Sequence, residues 1–278
     1  MSIHMAMTKD IPATLYKYYE VKEFLPKILS GEALKFSCTM DFNDPFESRS
    51  CFQIDNSKEG QRCIREKINQ RFTNPSQKIN KAQQIKRRFS DPQSFDVDAI
   101  IRRVGVCCFS DVNDSILMWS HYADEHKGIC IGFDAKKSLF RFAWQVKYQA
   151  EFPIVRRPTD SDEILLDKTL LTKADCWSYE KEWRIIRRTV TEQEKKQRLQ
   201  NRNYSEEDIQ LLVNENGPGY YSFPKEAITE IYLGARIEEK QRETVIQSIK
   251  DANLNIPIYE VQRNPKKYCL EFRLIKAG

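Results

Sequence analysis

Residues 228–275 carry the clearest secondary-structure pattern in the chain, ITEIYLGARIEEKQRETVIQSIKDANLNIPIYEVQRNPKKYCLEFRLI. Runs of β-branched and aromatic residues flank one polar stretch in which apolar residues recur at helical spacing. The pattern predicts a strand, a helix and two further strands, at 228–233, 238–252, 256–261 and 269–275. We therefore expect a C-terminal unit of strand, helix, strand and strand over about residues 224–278.

Upstream of this unit, short apolar runs bounded by polar turns predict more strands than helices. Helices are expected at 24–29 and at 115–124, and strands are expected at 14–19, 33–38, 104–110 and 129–133. The irregular connections between these elements favour an α+β fold over a doubly wound sheet. No repeat and no linker rich in Pro or Gly divides the chain, so we expect residues 1–278 to form a single α+β domain.

A basic segment interrupts this pattern. Residues 58–103 hold twelve basic and five acidic side chains, a local charge of +7 in a chain whose net charge is +5. Their apolar residues are widely spaced, which predicts surface helices that form an insertion over about residues 56–103. Because phosphate contacts provide non-specific affinity, the segment is a candidate for contact with nucleic acid, and a solvated helical face is the simpler interpretation.

Length and composition exclude several classes of protein. With 278 residues, 40% of them hydrophobic, the chain can bury a sizeable core. Its apolar runs are far shorter than the roughly 20 residues of a membrane helix, so no membrane contact is expected. The first five residues lack the charged start and apolar run of a secretory signal, which predicts a cytoplasmic location.

The cysteines, histidines and glycines exclude further classes of site. The eight cysteines form no C-x-x-C pair and only three histidines accompany them, so no metal site is expected. No glycine-rich phosphate loop of the nucleotide-binding or dinucleotide-binding kind is present.

Three short stretches combine polar and aromatic residues in ways that suggest chemistry. Glu180 and Glu182 flank Lys181 at the start of a strand, where alternation would direct both carboxylates to one face. Asn43 lies in an Asn-Asp-Pro stretch. One interpretation is that this stretch only forms a turn, and the other is that the turn presents Asn43 to a cleft. His121 lies on an aromatic-rich helix, either as a packed polar residue or as a catalytic group.

These stretches belong to five motifs that together resemble the bacterial DUF2971 family across about residues 14–190. The motifs are LYKY at 15–18, FNDPFE at 42–47, CFS at 108–110, LMWSHYA at 117–123 with KG at 127–128, and YEKEWR at 179–184. That family has no established function, so this resemblance implies kinship and leaves the activity open.

A second resemblance concerns chemistry. Mono-ADP-ribosyltransferases of the arginine, serine, glutamate type place a basic residue on the first strand, a serine on a middle strand and a Glu-x-Glu at a loop–strand junction. The sequence is similar in having Lys17, Ser110 and Glu180-x-Glu182 in that order, although these enzymes carry Arg or His at the first position. The resemblance implies a mixed, largely antiparallel sheet core, with the basic helical insertion added, and NAD as the substrate.

The same resemblance implies a role for each residue. Glu182 would stabilise the oxocarbenium-like centre that forms when nicotinamide leaves, and Ser110 would hold Glu182 in place. Glu180 would orient or deprotonate the acceptor, and Lys17 would hold the pyrophosphate. The side chains that would bind nicotinamide or line its pocket are Tyr18, Trp119 and Tyr122, with Asn43 and His121 in second rank.

Four hypotheses about function follow. The first is an NAD-consuming transferase or glycohydrolase with an unknown protein or nucleic-acid acceptor, of the kind that serves as a bacterial toxin or antiviral effector. The second is a nucleic-acid-binding protein that uses residues 58–103. The third is a metal-dependent phosphodiesterase, and the fourth is a non-catalytic sensor or interaction module. The ligands of the third would be Asp44, Glu47, Glu180, Glu182 and His121.

Overall fold

The computed structural model describes residues 11–90, 97–188 and 217–276. These residues form two compact units. The insert unit comprises Thr39–Arg102 and Lys147–Asp175, and the sheet unit comprises the other described residues. That residues 1–278 make up a single domain stays a prediction.

Fourteen strands and seven α-helices lie in the described ranges. The strands are β1 Thr14–Tyr19, β2 Leu34–Phe36, β3 Cys51–Ile54, β4 Gly105–Ser110, β5 Ile129–Asp134, β6 Trp144–Gln145, β7 Lys147–Gln149, β8 Ile154–Arg157, β9 Thr172–Ala174, β10 Glu182–Arg187, β11 Gly219–Tyr221, β12 Ile228–Leu233, β13 Ile258–Arg263 and β14 Leu270–Lys276. The helices are α1 Leu25–Leu29, α2 Lys58–Arg71, α3 Pro75–Ser90, α4 Val97–Ile101, α5 Ile116–Tyr122, α6 Asp162–Leu170 and α7 Glu239–Asp251. None of these helices is long and apolar enough to cross a membrane.

An eight-stranded sheet forms the centre of the sheet unit, in the order β14-β13-β12-β5-β1-β4-β10-β6. Every neighbouring pair is antiparallel except β12 and β13, which run parallel because α7 connects them. The predicted mixed, largely antiparallel sheet is therefore confirmed. The likeness to the ADP-ribosyltransferase fold stays a prediction.

The C-terminal elements lie close to their predicted positions. Strand β12 has the predicted bounds, and β13 and β14 are displaced by one or two residues from theirs. Helix α7 begins after Glu238, which forms a capping box with Gln241, and ends before Ala252. The alternation of apolar residues and the capping residues together account for this agreement.

The two faces of the sheet carry different clusters. Leu15, Ile131 and Ile185 belong to a large aliphatic and phenylalanine-rich core, which we call the core face. Tyr18 and Tyr232 belong to a smaller cluster on the opposite side, which we call the aromatic face. Because side chains alternate along a strand, the parity of a residue decides which of the two faces it occupies.

The insert unit contains the basic segment. Helices α2, α3 and α4 lie within the stretch predicted to be a helical insertion, and α2 begins after Ser57, whose Oγ accepts a hydrogen bond from the backbone of Gly60. This unit also contains α6 and two short parallel strand pairs, β3 with β8 and β7 with β9.

Candidate functional site

A polar cluster occupies the aromatic face where β4 and β10 lie side by side. The antiparallel register places Glu182 opposite Ser110 and Arg184 opposite Cys108. Facing residues of an antiparallel pair point to the same side of the sheet, and Ser110 is also opposite Tyr16, which packs on the aromatic face. Strand pairing therefore brings together side chains that are more than 70 residues apart in the chain.

Glu180 reaches this cluster through a turn. It ends a 3₁₀ turn just before β10, and Lys181 follows with a left-handed φ of 43°. The sequence predicted that simple strand alternation would place Glu180 and Glu182 on one face. Glu180 contacts the Tyr122 hydroxyl, and the charges of both carboxylates raise the pKa of that phenol. Glu180 lies in a turn rather than in a regular strand.

Glu182 is held by a buried arginine. The Arg184 Nε donates to Glu182 Oε1 at 2.8 Å and its Nη2 donates to Glu182 Oε2 at 2.9 Å. The side chains of Arg184 and Glu182 are 0% and 5% exposed. A bidentate pair of this kind fixes the orientation of the carboxylate and favours its charged form.

Glu180 has a different partner. The hydroxyl of Tyr122, on α5, donates to Glu180 Oε1 at 2.6 Å, and Glu180 is 3% exposed. Burial raises the pKa of Tyr122 far above its ordinary value, and the charge of Glu180 raises it further. Tyr122 therefore stays protonated and donates this hydrogen bond at any physiological pH.

Ser110 positions the main chain of this site. Its Oγ donates to the backbone carbonyl of Glu180 at 2.6 Å and accepts from the backbone N–H of Val112 at 3.2 Å. The sequence predicted that Ser110 would hold the carboxylate of Glu182. The described hydrogen bonds of the hydroxyl instead hold the turn that precedes that residue.

Lys17 lies on the other side of the sheet. Its Nζ donates to the backbone carbonyl of Cys108 at 2.8 Å and lies 5.4 Å from the centre of the Phe109 ring, which belongs to the core face. Since Tyr16 is the residue opposite Ser110, the next residue must face away from the carboxylates. The expected convergence of Lys17 with Ser110 and Glu182 does not occur, and the cation beside Glu182 is Arg184.

Tyr18 and Trp119 are core residues that support the loop between β4 and α5. They are 7% and 0% exposed, and their rings meet edge to face at 5.3 Å. The Tyr18 hydroxyl donates to the carbonyl of Val112 at 2.8 Å, and the Trp119 Nε1 donates to that of Asn113 at 2.7 Å. Both side chains therefore have a structural role as supports of this loop.

Aromatic side chains form a rim beside the carboxylates. His121 is exposed, and its ring lies 6.2 Å from that of Tyr122 and 6.3 Å from that of Tyr179. Tyr179 in turn lies 6.0 Å from Trp177. We call these four residues the aromatic rim. His121 and Tyr122 were predicted site residues, whereas Tyr179 and Trp177 were not.

Asn43 lies in the insert unit, where its side chain is exposed. The adjacent Asp44 accepts a hydrogen bond from the backbone N–H of Phe46 at 2.9 Å. This is the turn that the Asp-Pro sequence predicts. Within residues 11–90, 97–188 and 217–276, no group of three or more His, Cys, Asp and Glu side chains is arranged to hold a metal ion.

Sequence reasoning missed Arg184, although a signal for it exists. Arg184 follows Glu182 by two residues on a strand, and that spacing places both side chains on one face. The thiol of Cys108 is the remaining member of the cluster. Burial raises its pKa well above the ordinary value and the charge of Glu182 adds to this effect, so Cys108 is not activated as a nucleophile.

Comparison with known proteins gives a match to one part of the chain. The model of a family described as "Protein of unknown function (DUF2971)" matches residues 118–185. No curated protein and no solved structure matches the chain. The matched stretch contains Tyr122, Glu180, Glu182 and Arg184, so the resemblance to this family is supported over the stretch that supplies most of the polar cluster. The likeness to ADP-ribosyltransferases stays a prediction.

Proposed function

We propose that the sheet unit cleaves the bond between nicotinamide and ribose in NAD, as an ADP-ribosyltransferase or an NAD glycohydrolase. The supporting observation is a pair of buried carboxylates: Glu180, which accepts from Tyr122, and Glu182, which accepts from Arg184. Carboxylates in two distinct environments can take two distinct roles in one reaction.

Glu182 is the candidate for electrostatic stabilisation. As the glycosidic C–N bond breaks, its electron pair leaves with nicotinamide and positive charge develops on the ribose carbon and ring oxygen. A fixed, charged carboxylate lowers the energy of such a centre most effectively where water is excluded. The fork of Arg184 and the burial of Glu182 provide both conditions.

Glu180 is the candidate base. The oxygen of water or of an acceptor hydroxyl forms the new bond to the ribose carbon, and its proton passes to the carboxylate of Glu180. The hydrogen bond from Tyr122 orients that carboxylate. In this scheme Tyr122 is a positioning residue, because its raised pKa keeps its own proton in place.

The aromatic rim is the candidate contact for nicotinamide. A flat heteroaromatic ring packs well against tyrosine, tryptophan and histidine rings. Tyr179 and Trp177 are half-buried, and His121 is exposed. Lys17 takes no part in this proposal, since its amine contacts the carbonyl of Cys108.

Release of nicotinamide from NAD tests the proposal. The wild type should release it, and Glu180→Gln and Glu182→Gln should each reduce the rate at least 100-fold, in the range typical of acid–base and electrostatic catalysis, roughly 10²–10⁴. Glu230→Gln is the control, because Glu230 is a half-buried glutamate that likewise accepts from a tyrosine, Tyr16, at 3.0 Å. A control variant as impaired as the other two, or an inactive wild type, would overturn the proposal.

A further inference from the structure

A cleft of about 810 Å³ opens in the sheet unit, at residues that have no role in the proposed reaction. Its walls come from the segment after β12, from the turn that joins β13 to β14, and from residues at either end of α5. We call it the hairpin cleft. Ile116 and His126 line the side that belongs to α5 and the turn after it.

The lining of the hairpin cleft is strongly basic. Arg236, Arg263, Lys266 and Lys267 line it, and no aspartate or glutamate does. Within the described part of the chain, none of these four cations forms an ion pair with a carboxylate of another residue. The cleft therefore concentrates positive charge that the protein itself does not neutralise.

Two acidic residues on the adjoining strands have partners of their own. Glu260 accepts from Arg242 at 2.8 Å and from Arg273, neither of which lines the cleft. Glu271 accepts from the side-chain amide of Asn264, which does line it. One carboxylate therefore adjoins the cleft, beside four lining cations.

The basic side chains are carried by fixed backbone. Asn264 Oδ1 accepts from the backbone N–H groups of Lys266 and Lys267, each at 2.7 Å, which holds the hairpin turn. On the opposite wall, the backbone N–H of Arg236 donates to the carbonyl of His126 at 2.9 Å. Little conformational entropy is therefore lost by the backbone when a ligand binds.

The positive charge of the cleft affects the pKa of His126. Burial lowers the pKa of His126, and the charge of Arg236 lowers it further. Its Nε2 lies 3.1 Å from Ser120 Oγ, and its ring stacks on Trp119 at 6.3 Å. At neutral pH the imidazole of His126 is an uncharged polar group in the lining of a cationic site, which suits contact with a sugar or a base.

One residue that lines the cleft is an exposed aromatic. Tyr268 is 103% exposed, and no ring contact of it is recorded within residues 11–90, 97–188 and 217–276. A fully solvated tyrosine beside two lysines is the arrangement with which proteins stack a base and hold the neighbouring phosphates.

We propose that the hairpin cleft binds single-stranded nucleic acid. The four cations contact successive phosphates and one base stacks on Tyr268. A strand fits better than a duplex, because a cleft of about 810 Å³ has the volume of a few nucleotides and a stacking ring needs an unpaired base. This proposal is independent of NAD cleavage and uses none of its residues.

Fluorescence anisotropy tests this proposal by following how the full chain binds a fluorescein-labelled oligothymidylate of about 20 nucleotides. With four phosphate contacts the log–log salt slope should be roughly −2.8, so affinity should fall about 50-fold between about 50 and 200 mM salt. Arg263→Glu/Lys267→Glu should weaken binding at least tenfold. Tyr268→Ala should weaken it at least fivefold, while Tyr268→Phe should not.

Matched controls make the outcome decisive. Lys58→Glu/Arg65→Glu on α2 makes the same charge change at exposed positions of the basic segment and should leave affinity within about twofold. Equal losses from the two double variants would show that residues 58–103 or net charge carry the binding, and would overturn the proposal. So would absent or salt-independent binding, equal affinity for a duplex of the same length, or displacement of the strand by an equal concentration of AMP.

Discussion

Removal of the Tyr122 hydroxyl measures how much its hydrogen bond to Glu180 contributes to the free energy of unfolding. Tyr122→Phe deletes the O–H that donates to Glu180 at 2.6 Å and keeps the ring. A hydrogen bond to a charged acceptor contributes roughly 1.5–3 kcal/mol, and since Glu180 is 3% exposed, we expect a loss of about 2–3 kcal/mol in the free energy of unfolding.

Tyr16→Phe is the reference for this change. It deletes a hydroxyl that donates to a less buried glutamate, Glu230, over a longer distance of 3.0 Å, so the expected loss is only about 0.5–1.5 kcal/mol. Urea denaturation followed by tryptophan fluorescence gives both values from the midpoint and the slope.

A double-mutant cycle assigns the effect to the pair. The coupling between Tyr122→Phe and Glu180→Gln should be about 1–2 kcal/mol, and that between Tyr122→Phe and Glu230→Gln should be near zero. A Tyr122→Phe loss no larger than that of Tyr16→Phe, together with zero coupling to Glu180, would refute the geometry on which the site rests.

Three further predictions concern Glu182, Lys17 and alkaline pH. Glu182→Gln removes a charged partner of buried Arg184 and should lower the free energy of unfolding, measured in urea, by roughly 3–5 kcal/mol. A loss below about 1 kcal/mol would contradict a buried pair. Lys17→Met should leave the rate of nicotinamide release within about twofold of wild type, because the Lys17 amine lies away from the carboxylates. A loss of about tenfold in that assay would show that Lys17 belongs to the site. In the described part of the chain, burial raises the pKa of five tyrosines, which are Tyr16, Tyr18, Tyr19, Tyr122 and Tyr232. The folded state therefore keeps protons that the unfolded chain releases, and the free energy of unfolding should fall as pH rises above about 10. A free energy of unfolding that stays constant from about pH 9 to 11 in urea titrations would contradict this.

The C-terminal elements could be predicted because their information is local. Apolar alternation identifies β12, and the capping box of Glu238 with Gln241 identifies the start of α7. Strand register is different, since it depends on pairing between distant segments. Nothing in β1 alone shows that Tyr16, rather than Lys17, lies opposite Ser110, so the face of Lys17 could not be predicted.

The candidate site was predictable in its residue types more than in its contacts. The carboxylates of Glu180 and Glu182 were identified from sequence, but the left-handed backbone at Lys181, which lies between them, was not. The hairpin cleft was missed because its cations are dispersed. Arg236 joins Lys266 and Lys267 only after the parallel pairing of β12 with β13, while the denser charge of residues 58–103 dominates the sequence.

The most direct test of the proposed chemistry is to measure the nicotinamide that the purified wild-type chain releases from NAD. Chromatography quantifies this release against a buffer blank. We predict many moles of nicotinamide per mole of protein from the wild type and from Glu230→Gln, and a blank-like amount from Glu180→Gln. Nicotinamide at the level of the blank for the wild type, or undiminished release by Glu180→Gln, would contradict the assignment of the buried carboxylates to this reaction.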